Sequence, residues 1–341
     1  MPCHCTLMPI VRCVQAVIPD LKSFTPIQGF FLCLFACVSV IFSIVDFNIL
    51  INPDPTRNTT ALKFVNDGLP PWELEVWRRA VMTTSGVVSF AGVLGVVLVT
   101  KKKRSNYFWG FINSVFYSVF AFAYGYAGDF QLFAIYFTPL QIYGMYLWDG
   151  EAAINKEGSA VVKSLSLKQW IFYVTLCFLV GVAFYFEIPA FSRALTGYYV
   201  FDPEAVGTYA PLVLDSCSNA FNVVAQILML WRYWEMWIFW ILVDIVQIAM
   251  WTGVSTFPAD FNITVMWTLF LVNACLGLYV WFTTYRRQQA EGREEDESSG
   301  ENHTKQDEEV HKQGEADNRV EDEMNQTAGE DDLRKAQIAV V

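Results

Sequence analysis

The stretch GDFQLFAIYFTPLQIYGMYLW, Gly128 to Trp148, is almost wholly apolar, yet it carries Pro139, Gln141, tyrosines and Gly144. As a helix it is long enough to cross the ~30 Å hydrocarbon layer of a bilayer. Runs of this kind recur along the chain. The pattern predicts membrane spans at Phe30–Ile51, Ala80–Thr100, Tyr107–Tyr126, Phe130–Trp148, Gln169–Phe186, Leu212–Trp231, Met236–Val254 and Phe261–Tyr285. A chain of 341 residues that is 54% hydrophobic, with 28 Phe, 15 Tyr and 12 Trp, fits a polytopic membrane protein and not two soluble domains.

The end of the opening stretch, GMYLW (Gly144–Trp148), returns as GLYVW (Gly277–Trp281). Sliding the chain by 131 residues also places Ser85, Phe90, Lys101 and Trp109 on Ser216, Phe221, Arg232 and Trp240. Spans two to four therefore resemble spans six to eight. The two copies begin four spans apart, so they enter the membrane in the same direction and form a parallel repeat, with span five as the linker that makes this parity possible. The expected fold is all-α: eight transmembrane helices, one N-terminal helix followed by a 3+1+3 core. Its segments are a cytoplasmic stretch 1–29, the extra helix 30–51, an external loop 52–79, a first repeat 80–148, a linker region 149–211, a second repeat 212–285 and a tail 286–341.

Charge orients the bundle. The cluster KKKR, Lys101–Arg104, marks a cytoplasmic loop, and alternation from there gives thirteen Lys and Arg inside against five outside, with both termini cytoplasmic. Of the net charge of −11, the segment from Arg286 onward contributes −9, from 17 acidic and 8 basic residues. That tail has almost no aromatics and cannot bury enough apolar surface to offset its ordering entropy, so it is expected to be disordered. Asn58 begins an external N-x-T sequon. About 29 residues precede a first run long enough to span, which argues against a cleaved signal peptide. The eight cysteines lie outside the long loops and imply no disulfide framework. The Cys3-His4-Cys5 cluster lacks a fourth metal ligand and reads as a mobile terminus. No cofactor, metal or nucleic-acid site is expected.

The segments SNYFWGFINSVFY, LQIYGMYLW, LDSC, AQILMLWRYWEMWIFWILVDIVQI and GLYVW, in this order, resemble the Pnu family of vitamin transporters, specifically its PnuC-type nicotinamide riboside carriers, over about Ala80 to Tyr285. The resemblance implies a SWEET-like 3+1+3 fold, often trimeric, that passes nicotinamide riboside by facilitated diffusion while a cytosolic riboside kinase traps the product. It also implies residence in the plasma membrane. The family's W-x-x-x-N pair reads here as Trp240 and Asp244, a departure that adds an anionic group.

An ionisable residue in mid-membrane is costly enough to be treated as functional. On a helix, Trp240, Asp244 and Gln247 share one face with Trp251. Indoles beside a carboxylate and an amide suit a pyridinium ring and a ribose: stacking and cation–π attraction for the ring, acceptors for the hydroxyls. In the sixth span Asn219, Asn222 and Gln226 repeat the spacing on a face with Asp215. Their matches at an offset of 131 are small or apolar, so substrate contacts are expected mainly in the second repeat. From the first repeat come Trp109 and Asn113, which match Trp240 and Asp244, and Gln141 on the proline-bearing helix. Trp267 and Asn273 of the last span complete the candidate set. Trp148 and Trp281, near the cytoplasmic ends, read as interfacial anchors. As an enzyme the chain has no P-loop, HExxH or nucleophile elbow, and YAGD at Tyr126–Asp129 lacks the first glycine of an intramembrane aspartyl site. The competing readings are a facilitator of another small solute, such as a sugar, and a receptor or scaffold signalling through the acidic tail.

Overall fold

The computed structural model describes residues 3–45, 62, 77, 80–81, 83–124, 126–149, 161–199, 201–251, 264–291 and 293. The expected external loop with its Asn58 sequon, the side chains of Cys3, His4 and Cys5, and the acidic tail past residue 293 lie outside these residues.

Among the described residues all the regular elements are helical: α1 Cys3–Lys22, α2 Pro26–Ile44, α3 Ser85–Thr100, α4 Asn106–Tyr124, α5 Ala127–Gln131, a π-helical segment Leu132–Phe137, α6 Thr138–Leu147, α7 Leu167–Thr196, α8 Pro203–Val206, α9 Ala210–Leu230, α10 Met236–Trp251 and α11 Thr264–Glu291. Helices α7, α9 and α11 are each long and apolar enough to cross a membrane, and α1 and α2 pass the same test as a pair bent by 111°. The apolar helices α3 and α10 are shorter. The outer face of α7 leaves Ile171, Phe172, Phe178, Leu179 and Phe186 more than half exposed, a display suited to lipid and not to water.

Local chemistry sets the boundaries. Thr25 and Ser166 cap α2 and α7 in reciprocal capping boxes with Gln28 and Gln169, satisfying the first free N–H groups. α7 ends where Gly197 takes a left-handed φ of 82°. Pro139 explains the π-helical segment of the quoted stretch. A proline lacks the N–H of the α-ladder, and just before it the Thr138 N–H and hydroxyl both reach back five residues to the Phe133 carbonyl. The fourth expected span is therefore a continuous α5–π–α6 rod.

Within the stretch 1–29, expected as a cytoplasmic segment with no helix assigned, residues 3–22 form α1 and are tied to the helix bundle. Cys13 Sγ donates to the Arg104 carbonyl, Ser105 donates to Asp20, and Arg12 and Arg104 both pair with Asp149. Helix α2 packs on α3 at Gly86, whose N–H donates to Ser43 Oγ at 2.8 Å.

The ends of α3 and α9 repeat each other bond for bond. Among the described residues Lys102 and Arg232 are the two non-glycine residues with left-handed φ (57° and 64°). After each, three successive N–H groups open the next helix with bonds to the carbonyl three residues back: Asn106, Tyr107 and Phe108 in one half, Met236, Trp237 and Ile238 in the other. The structural offset here is 130 residues, one fewer than the sequence match gave. Tyr107 then lies over Gly144 as Trp237 lies over Gly277, each ring occupying the space a Cβ would need. Trp148 and Trp281 are not interfacial anchors: they are 2% and 0% exposed. The Trp148 indole N–H donates to Leu230 O on α9 at 3.3 Å, and that of Trp281 to Val99 O on α3 at 3.0 Å. Each bonds a carbonyl in the last turn of the opposite half, where a helix leaves its carbonyls without intrahelical partners; Val99 O also accepts from the Lys102 N–H at 2.8 Å. One apolar cluster surrounds these tryptophans and a second surrounds Tyr117, Phe133, Phe137 and Trp267.

Candidate functional site

Between the two clusters lies a cavity of ≈ 100 Å³ walled by α3, α4, the π–α6 rod, α9, α10 and α11. The glycines Gly92, Gly95 and Gly110 line it, and their lack of side chains is what leaves space between α3 and α4. The 130-residue offset pairs lining residues across the two halves: Gly92 with Asn222, Val96 with Gln226, Val99 with Met229, Gly110 with Trp240 and Ser114 with Asp244.

Of the candidates read from sequence, Trp240, Asp244, Asn222, Gln226, Asn113, Gln141, Trp267 and Asn273 all line this cavity. Trp109, Asn219 and Gln247 do not. Trp109 turns away to pack edge-on against Phe90, 6.0 Å between ring centroids. Its structural counterpart is Phe239 instead of Trp240, because a one-residue slip rotates a helical position by about 100°. Asn219 donates to the carbonyl and carboxylate of its own helix neighbour Asp215, at 2.8 and 2.9 Å, within a separate polar layer where Tyr199 also donates to Asp215 and Tyr117 to Asp129. Gln247 donates to Ser218 Oγ at 2.8 Å and pins α10 to α9.

Sequence reasoning missed Asn106, Ser114, Trp237, Phe133, Phe137 and Phe270 as lining residues. The expected concentration of polar contacts in the second half is not seen. Asn106, Asn113, Ser114 and Gln141 come from the first half, against Asn222, Gln226, Asp244 and Asn273 from the second.

The amides differ in what they hold. Asn113 donates to Val88 O at 2.9 Å and Asn273 to Val96 O at 3.2 Å, so both brace α3. Asn222 donates to Ser218 O of its own helix at 3.0 Å. By contrast Gln141 Oε1, Gln226 Nε2, Trp237 Nε1 and Trp267 Nε1 are buried without a partner among the described residues. Asp244 is 2% exposed and, among the described residues, has no hydrogen-bond or ion-pair partner. Unmade bonds of this kind cost about 1–3 kcal/mol each, so a cavity that collects them is arranged for something other than fold stability.

The chemistry on offer is specific. Trp240 meets Phe137 at 6.3 Å and Trp267 meets Phe270 at 5.4 Å, both edge to face, giving aromatic walls for a flat ring. One carboxylate and one amide oxygen offer acceptors, and an amide and two indoles offer donors. Among the described residues no Lys or Arg lines the cavity. The site favours a neutral or cationic aromatic ligand with hydroxyl groups and opposes an anion. A second hollow of ≈ 690 Å³ between α7, α9 and α10 is larger, but it is lined by apolar residues with no charged or amide side chain. It offers a groove for hydrocarbon and not a site for a polar solute.

Comparison with known proteins agrees with this geometry. A family profile described as nicotinamide mononucleotide transporter matches residues 83–283. The chain is 29% identical over 202 residues to the nicotinamide riboside transporter PnuC of Haemophilus influenzae, covering 59% of this chain and 80% of that one. It is 28% identical over 214 residues to the PnuC of Neisseria mucosa, covering 60% and 73%. Among solved structures it is similar to the crystal structure of the vitamin B3 transporter PnuC, with a TM-score of 0.53 and 21% identity over 80% of this chain and 98% of that one.

Proposed function

The chain belongs to the nicotinamide mononucleotide transporter family, and from that membership we propose that it is an integral membrane transporter, not an enzyme, whose substrate is nicotinamide riboside. The observation that carries this reading is Asp244, a buried carboxylate without a partner among the described residues, set among Trp240, Trp267 and Phe137 in a cavity that no described Lys or Arg lines. A pyridinium ring supplies the missing cation, the aromatic walls stack on it, and Gln141 and Gln226 meet the ribose hydroxyls. Trp240, Asp244, Asn222, Gln226, Asn113, Gln141, Trp267 and Asn273 form the binding site, Asn113 and Asn273 partly by holding α3 in place. The family description names the mononucleotide, the relatives' names the riboside. A phosphate carries about two negative charges and needs basic or helix N-terminal partners. A cavity whose one charge is negative therefore selects the riboside.

The transporter crosses the plasma membrane eight times, with α2 preceding a 3+1+3 parallel repeat and both termini in the cytoplasm. The reciprocal Trp148 and Trp281 bonds and the matched ends of α3 and α9 support the repeat. With no ATP-hydrolysing motif, transport is downhill and a cytosolic riboside kinase makes it one-way. The working unit is a homotrimer. The test is uptake by purified protein in vesicles with a panel of riboside, mononucleotide, other nucleosides and sugars. Uptake of the riboside that unlabelled mononucleotide fails to inhibit is the expected result. Equal inhibition by both would contradict the selection argument, and uptake of a sugar alone would overturn the substrate.

A further inference from the structure

The N-terminal helix α1 carries its apolar surface on the wrong side for a helix docked onto a protein. Its buried residues, Cys13, Ala16 and Asp20, fall on one face and make the contacts to Arg104, Ser105 and the bundle. Leu7, Val11, Val14 and Ile18, at i, i+4, i+7 and i+11, form a stripe on the opposite face and are 60%, 43%, 45% and 64% exposed. A water-soluble helix puts that stripe inward. The geometry around α1 says what covers it. Its axis turns by 111° into α2, an apolar helix whose own Ile27, Phe30 and Phe31 are exposed where the two meet. If α2 crosses the bilayer, α1 runs along its surface. At the same rim stand six basic residues, Arg12, Lys22 and Lys101 to Arg104, against Asp20 and Asp149, which are already paired with Lys103, Arg12 and Arg104. An apolar stripe flanked by excess positive charge is the design of a helix that lies in the headgroup layer of an anionic membrane.

We propose that α1 is an in-plane membrane helix that inserts Leu7, Val11, Val14 and Ile18 into the anionic leaflet on the Lys101–Arg104 side and, through Arg12, Cys13 and Asp20, holds the loop joining α3 to α4. The bilayer surface is thereby linked to helices that wall the central cavity. The inference rests on α2 being a membrane span and not on the identity of the transported solute.

The test uses full-length protein in which the cysteines other than buried Cys13 and Cys177 are replaced by serine. Val14→Cys, Ile18→Cys and, at an exposed site beyond α11, Arg293→Cys each carry a nitroxide in vesicles of mixed phosphatidylglycerol and phosphatidylcholine. At positions 14 and 18 relaxation by oxygen is expected to exceed that by a water-soluble nickel chelate several-fold, with the reverse at position 293. Nickel accessibility at 14 and 18 equal to that at 293 overturns the proposal. So does strong spin–spin broadening at both positions, which would mean a second copy covers the stripe. As an arm free of labels, Val14→Asn with Ile18→Asn leaves the docked face intact and is expected to raise amide exchange in α1 several-fold in vesicles and not in detergent; unchanged exchange in vesicles also overturns it.

Discussion

Replacing Asp244 by Asn separates charge from shape at the centre of the cavity. The carboxylate is 2% exposed and unpaired within the protein, so its attraction for a cation is neither screened by water nor shared with a Lys or Arg. At about 4 Å, with an effective dielectric constant of ~20, two unit charges attract by ~4 kcal/mol. Desolvating the ligand's charge offsets part of this, leaving a net of about 1–3 kcal/mol, or a loss of affinity of roughly tenfold to a hundredfold. The same change replaces a buried carboxyl that has no partner among the described residues by an amide of the same shape, so the melting temperature of the empty protein is expected not to fall. Titration calorimetry on purified protein reads the first effect and a thermal melt the second. The informative control is the reduced riboside, whose dihydropyridine ring is uncharged: Asp244→Asn is expected to leave its affinity unchanged. An equal loss for both ligands would mean that Asp244 acts by shape or by holding a helix, and no loss for either would remove it from the site.

Gly110→Ala places a Cβ 2.5 Å from Gln141 Oε1, the movable end of a side chain, so binding is expected to weaken while the melting temperature changes little; a large loss of stability would show that Gly110 serves packing instead. Trp281→Phe removes the 3.0 Å bond to Val99 O, which keeps the Lys102 N–H at 2.8 Å, so the expected cost is that of one net hydrogen bond, about 0.5–1.5 kcal/mol, read as a lower melting temperature. Glu235, in the turn between α9 and α10, accepts from Ser164 Oγ and Leu165 N at 2.7 Å, and burial holds its carboxyl above the ordinary value of 4.5. The folded protein then binds a proton more readily than the unfolded chain, so stability rises as pH falls from the raised value toward 4.5 and levels off below it. Glu235→Gln is expected to flatten that rise, and parallel melting curves across the window would contradict the assignment. Truncation after Arg293 is expected to leave uptake per molecule unchanged at equal surface expression.

The helices were legible because a bilayer-length apolar run is a strong signal, and α3, α4, α7, α9, α10 and α11 fall where such runs stand. Helix α1 was not, since its two prolines and mixed composition resemble a tail; its docking depends on side-chain bonds across the fold. A likeness between the regions of α3 and α9 was readable, but its register was not. Matches such as Lys101 with Arg232 and Trp109 with Trp240 favour an offset of 131, whereas the backbone bonds after Lys102 and Arg232 set 130. That single residue sent Trp109 to the wrong face. Polar groups in apolar helices pointed to Asp244, Gln226 and Gln141, while Gly92, Gly95 and Gly110 shape the cavity by what they lack, which a search for chemical groups passes over. Trp148 and Trp281 looked interfacial from their place near helix ends. Only the opposite half of the bundle, absent from a local reading, shows which carbonyls they satisfy.

The central claim is a downhill carrier for the cationic riboside, and flux across a sealed vesicle tests it most directly. With membrane potential clamped to zero, since ~100 mV alone is worth ~2.3 kcal/mol per charge, labelled nicotinamide riboside should enter until inside and outside concentrations match and then stop. A riboside kinase with ATP enclosed in the vesicle should turn that plateau into continuing accumulation of the phosphorylated product. Accumulation above equilibrium without kinase, driven by an imposed proton or sodium gradient, would contradict the account.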